Sequence, residues 1–172
     1  MAAHDSYIVD GYNVLHALFP GLRQDELEDK RRWLADQLAG FAALRGADVT
    51  LVFDAHSQPR SVCEPLPGTR VEVCFAGGRF TADTLIARRI AEQPADMMVV
   101  VVSADQEVQR AASRAGVSRM TPLELGAELH GGGESGQALD SASNQTRMPS
   151  RLEDKVDLET LRKLEELRNK PQ

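Results

Sequence analysis

Six apolar residues stand in a row at Met97–Val102, and this run restricts the fold more than any other feature of the chain. A strand with one wetted face alternates apolar and polar residues. A run that is apolar at every position belongs to a strand covered on both faces, as in the middle of a parallel sheet. Four β-rich runs accompany it, at Tyr7–Val9, Val49–Phe53, Val71–Phe75 and Val117–Met120. Between them lie helical patterns. Val14, Leu15 and Leu18 suggest a turn or two before Pro20, and Leu27, Leu34, Leu38 and Phe41 recur at helical spacing up to Gly46, behind a capping box of Asp25 and Glu28. Thr81 is placed to cap a helix bearing Leu85, Ile86 and Ile90, closed by Pro94. Ser103 and Gln106 suggest a second capping box, and Thr121-Pro122-Leu123-Glu124 a third with proline at the first helical position. Strands alternating with helices predict an α/β fold, a three-layer α/β/α domain with a mainly parallel central sheet.

One connection breaks the alternation. Residues 55–70 hold Pro59, Pro65 and Pro67 and show no helical period, so they read as a long loop of the kind that is often functional. Composition changes again near His130. Residues 131–150 are rich in Gly, Ser, Asn and Gln and read as a flexible linker. Residues 151–172 carry Leu152, Val156, Leu158, Leu161, Leu164 and Leu167 among six acids and six bases, an amphipathic helix. Its apolar stripe suits packing on its own domain, on a second copy or on a protein partner. The expected organisation is a domain over 1–130, a linker over 131–150 and a C-terminal helix over 151–172.

Charge and cysteine content narrow the setting. No stretch reaches the roughly 18 apolar residues of a membrane span, and the first six residues have neither the basic nor the apolar segment of a secretory signal. A cytoplasmic protein with no membrane partner is expected, with Cys63 and Cys74 as reduced thiols. The histidines are scattered and build no zinc motif. A net charge of −6 argues against coating nucleic acid by charge alone. Residues 56–119, however, carry eight arginines and seven acids, and the planar guanidinium favours phosphate.

Four aspartates lie at or just past the apolar runs: Asp10, Asp54, Asp83 and Asp105. The carboxyl ends of parallel strands converge on one edge, where ligands of such sheets bind. Carboxylates gathered there repel one another unless a cation neutralises them, so the set reads as a site for Mg²⁺ or Mn²⁺. Each also has an ordinary reading. Asp10 can cap the next helix, Asp54 can open a turn, and Asp83 and Asp105 fall where a helix dipole favours acids. Their joint placement favours a site. Gly11 allows a sharp turn after Asp10, and Asn13 can hold a carboxylate or a metal-bound water. Arg79 and Phe80, ahead of Asp83, are placed to clamp a phosphate and stack a base. Arg60 belongs to the same arginine-rich stretch, and Phe80 is equally suited to a core contact. His56 could serve proton transfer but reads first as a solvated loop histidine, and Arg88 and Arg89 read as a solvated helix face.

Asp10-Gly11-Tyr12-Asn13-Val14, Val52-Phe53-Asp54-Ala55, Thr81-Ala82-Asp83-x-x-Ile86 and Ser103-x-Asp105, in this order, resemble the YacP-type NYN domains of bacteria, within the PIN-like nuclease superfamily. The likeness covers roughly residues 5–130 and leaves the tail outside the family's pattern. It implies a PIN-like Rossmannoid fold and a metal-dependent endoribonuclease acting on mRNA or ribosome-associated RNA. The implied acidic centre is Asp10, Asp54, Asp83 and Asp105, with Asn13 in support. A haloacid-dehalogenase-type phosphatase would need an acid at the position of Tyr12. A non-catalytic RNA- or ribosome-binding module and a toxin-like nuclease held by a partner remain as other readings.

Overall fold

In the computed structural model, residues 5–134 apart from Gly116 are described. Six strands form one sheet: β1 (Ser6–Asp10), β2 (Asp48–Asp54), β3 (Val62–Pro65), β4 (Val71–Ala76), β5 (Val99–Val102) and β6 (Ser118–Met120). Their spatial order is β3-β4-β2-β1-β5-β6. Every pairing is parallel except that of β3 with β4. The helices are α1 (Gly11–Leu18), α2 (Leu27–Arg45), α3 (Ala82–Glu92), α4 (Gln106–Ala115) and α5 (Pro122–Glu134). The three-layer fold expected from the alternation is the one observed.

Strand periodicity divides the core into two halves. Tyr7, Val9, Val49, Leu51, Phe53, Val100 and Val102 pack with Leu15, Leu34, Leu38, Phe41 and Leu125, so α1, α2 and α5 cover one face. Ile8, Val52, Cys74, Ala76, Val99 and Val101 pack with Leu85, Ile86, Ile90, Val108 and Ala112, so α3 and α4 cover the other. All four residues of β5 are buried, as a strand covered on both faces requires. The chain leaves β1 for β2 on one side and reaches β5 on the other only after α3. The order in which strands are added therefore reverses between β1 and β5, the place where ligands of open α/β sheets bind.

Several local expectations change. The segment 55–70 is not one loop: β3 occupies its middle and pairs with β4 as a hairpin, turning through Gly68 at φ 73°. The run around Val62 is too short and too proline-flanked to read as a strand by itself, and its partner supplies the ladder. Cys63 and Cys74 are directly opposed in that ladder and form a disulfide, against the expectation of free thiols. Before α2, the Arg23 N–H donates to Glu26 Oε2 at 3.2 Å and opens a 3-10 turn over Gln24–Glu26, while α2 itself starts behind Glu26 with no side-chain cap, in place of the Asp25/Glu28 box. The Thr121/Glu124 box forms as expected, with both reciprocal bonds present. Helix α5 runs through Gly131 to Glu134, past the expected boundary at 130. The rest of the expected linker and the C-terminal helix over 151–172 lie outside the described residues.

Candidate functional site: an acidic cluster at the carboxyl edge of the sheet

Asp10 ends β1 and Asp54 ends β2. Asp10 is two residues on from Ile8, and Asp54 two on from Val52. Because strand side chains alternate, both acids share the face of Ile8 and Val52, the one covered by α3 and α4. Asp83 lies in the first turn of α3 behind its N-cap Thr81, whose hydroxyl accepts from the Thr84 N–H at 3.2 Å. Asp105 caps α4, its Oδ1 accepting from the N–H groups of Glu107 at 2.7 Å and Val108 at 3.3 Å. The expected Ser103/Gln106 box is therefore replaced by an aspartate cap. The four aspartates meet at one corner of the domain and interact electrostatically.

Asp10 is buried at 7 % exposure. Its Oδ1 accepts from the Asn13 N–H at 3.4 Å and its Oδ2 from the Ser103 hydroxyl at 3.1 Å. Its carboxyl is pushed up to about 6: burial raises it most, the bonds from Asn13 and Ser103 lower it, and the charges of Asp83 and Asp105 raise it. Asp83 is also raised, first by burial and then by Asp105, Glu107 and Asp54. Glu107 is a fifth acid of this cluster, and its spacing two residues past Asp105 was the available signal for it. One carboxylate oxygen, Asp54 Oδ1, is buried without a hydrogen bond among the described residues. The ring of His56, 84 % exposed, approaches it at 3.4 Å, a distance outside good hydrogen-bond geometry. A buried acceptor left in that state costs free energy unless something donates to it or coordinates it. The aspartates offer oxygen donors alone, which suits a hard divalent cation, but among the described residues no three of these acids have carboxylate oxygens within 4.8 Å of one another.

Gly11 and Asn13 have roles the sequence does not state. Gly11 is the first residue of α1 and does not need an unusual backbone. A Cβ there would stand 2.3 Å from the Phe53 ring, so glycine is required by close approach. The Asn13 Oδ1 accepts from the Ala104 N–H at 2.7 Å, tying the turn after β1 to the turn after β5. Ser103, 1 % exposed, completes this link. Its hydroxyl donates to Asp10 and accepts from the Asp105 N–H at 3.0 Å. Sequence reasoning read Ser103 only as a helix start, and its pairing with Asp10, 93 residues away, is a tertiary fact.

The residues expected at the substrate lie on two loops beside Asp54 and Asp83. Arg60, Arg79 and Phe80 are exposed, and Phe80 at 46 % is not a core residue. Gly78 N–H donates to Gln58 O at 2.8 Å, so the loop bearing Arg60 packs on the loop bearing Arg79 and Phe80. Arg88 pairs with Glu92 on the solvated face of α3, as expected. Arg89 departs from that reading: it reaches Glu72 on β4 at 2.9 Å, with a longer contact to Glu92 at 3.9 Å.

Residues 7–169 match the YacP-like NYN domain model. The chain belongs to this family, whose domains are of nuclease type. The match extends well past residue 130, so the tail falls inside the family's pattern and not outside it. Two similar solved structures are of Rae1 (YacP) from Bacillus subtilis. One has a TM-score of 0.65 at 25% identity, covering 95% of this chain and 94% of that one. The other, a tryptophan-to-leucine mutant, has a TM-score of 0.64 at 27% identity, covering 80% of this chain and 86% of that one. No curated protein matches the chain.

Proposed function

We propose that the chain is a metal-dependent endoribonuclease that hydrolyses RNA phosphodiester bonds in the cytoplasm, on mRNA or on ribosome-associated RNA. The observation that carries this reading is the convergence of four aspartates at the carboxyl edge of one sheet, where the buried Asp54 Oδ1 accepts no hydrogen bond among the described residues. The nuclease-type family supports it. Asp10 and Asp83 are assigned the principal ion, and Asp105 and Asp54 support it directly or through water. A bound Mg²⁺ or Mn²⁺ supplies an activated water and charge stabilisation on the phosphoryl oxygens.

The chain's own residues do the rest. Ser103 and the Asn13 N–H orient the Asp10 carboxylate, while the Asn13 side chain fixes the Ser103–Asp105 turn through Ala104. The depth of Asp10 keeps bulk water from competing for its oxygens. Arg60 and Arg79 receive backbone phosphates by paired hydrogen bonds, and the exposed Phe80 ring stacks a base.

The test is cleavage of mRNA with and without ribosomes, comparing wild type with Asp10→Asn and Asp83→Asn. Wild type should cut in Mn²⁺, stop with a chelator and recover when the ion is restored, while both variants fall to background. Full cleavage by both variants in Mn²⁺ would sink the assignment. Absence of cleavage by wild type in any divalent ion, with RNA binding intact, would instead make the chain a binding module.

A further inference from the structure

The Cys63–Cys74 disulfide joins β3 to β4 at a place where covalent attachment matters. β3 is a four-residue edge strand whose sheet neighbour is β4. It is mostly exposed and ends in Pro65, which has no N–H to donate. Such an edge opens readily unless something ties it down. The bond lies three residues after Arg60 and three before Gly77. Here the flanking loops touch closely, with the Gly78 N–H donating to the Gln58 carbonyl at 2.8 Å. Gly77 N–H donates to Ser61 Oγ at 3.1 Å. A Cβ on Gly77 would stand 2.7 Å from the Arg60 carbonyl, and one on Gly78 2.5 Å from the Pro59 carbonyl. This contact holds Arg60 beside Arg79 and Phe80.

The surroundings of the bond suit exchange chemistry. Cys63 is half-buried and Cys74 is buried, so an external thiolate meets Cys63 Sγ first. Arg89 donates to Cys74 Sγ at 3.6 Å, and a guanidinium there stabilises a departing thiolate. Glu72 lies close to both sulfurs, but its carboxylate is held by Arg89 and the sulfurs by each other. The group is therefore a disulfide site and not a metal site.

We propose that Cys63–Cys74 is a redox-responsive clamp on the RNA-contacting rim, and that opening it weakens RNA binding while leaving the acidic centre intact. The proposal rests on the RNA reading above. In opening, a dithiol thiolate attacks Cys63 Sγ, the S–S bond breaks and Cys74 leaves as a thiolate beside Arg89. The second reductant thiol then displaces Cys63. Two electrons and two protons pass to the chain, and the reductant becomes its own disulfide. Closing reverses these steps with a low-molecular-weight disulfide as electron acceptor.

The experiment compares oxidised wild type, dithiothreitol-reduced wild type and the C63S/C74S variant. Amide hydrogen exchange is read over residues 56–61 and 77–80, and KM and kcat are read on a single-stranded RNA. If the rim is docked about a fifth of the time once opened, KM rises about fivefold with kcat unchanged. Exchange in both loops should quicken on reduction, and dithiothreitol should leave C63S/C74S unaffected. Equal exchange in the two redox states, equal KM, or thiols that stay unpaired in excess glutathione disulfide would each overturn the clamp. If no form cleaves RNA, the nuclease reading fails while the exchange data still judge the clamp.

Discussion

Asp10 carries an electrostatic cost that the fold accepts in order to place a carboxylate. Its unfolded carboxyl releases a proton near 3.8 and its folded carboxyl near 6. Between those values the folded state binds more protons, so stability falls as pH rises from about 4 to 6, by at most about 3 kcal/mol. Asp83 is shifted in the same direction and adds to the trend. Thermal unfolding of the metal-free protein across this window checks the sign. Asp10→Asn should flatten the profile, and a melting temperature that rises with pH there would contradict the assigned burial. Ser103→Ala removes the hydroxyl that donates to Asp10. It should raise the Asp10 carboxyl further, move the acidic limb of the pH–rate profile upward and reduce cleavage about tenfold or more. A merely structural serine would leave that limb in place.

Among the elements, the turn from β1 into α1 tolerates little change. Gly11→Ala forces a methyl into the Phe53 ring and should destabilise the domain by about 1–3 kcal/mol, read as a drop in denaturant midpoint. Asp10 and Asn13 flank that turn, so cleavage should fall more than stability alone explains. Past β6, at the same carboxyl edge of the sheet, Thr121→Ala deletes the cap of α5 and should cost about 1 kcal/mol, read as a drop in denaturant midpoint. Most elements were legible locally. Thr81 and Thr121 cap as their sequences say, because capping needs only three or four neighbouring residues. β3 was not legible, because an exposed four-residue strand is defined by the β4 ladder opposite it. The Asp105 cap was misread for a similar reason: Ser103, the local candidate, spends its hydroxyl on Asp10 across the sheet.

For the molecule as a whole, the reversal of strand order between β1 and β5 is what turns separate acids into a site. Ligand binding to the folded state alone raises its stability by about 2.7 kcal/mol at a hundred times Kd. Mn²⁺ at neutral pH should therefore raise the melting temperature of wild type and do much less for Asp10→Asn/Asp83→Asn. No shift in wild type at millimolar Mn²⁺ would argue against a metal at this corner, independently of any RNA assay.

The sequence by itself determined the layered α/β fold, because a strand apolar at every position and helices of one apolar stripe can bury those surfaces in few other ways. It also determined the aspartates as a group, since each follows a strand or opens a helix and parallel strands deliver such positions to one edge. Only the tertiary structure decided which groups serve them. Ser103 and Asn13 reach across the β1–β5 gap, Glu107 joins the cluster, Cys63 meets Cys74, and Arg89 turns from solvent to Glu72. Each of these depends on distances between residues far apart in the chain, which local periodicity and capping do not encode.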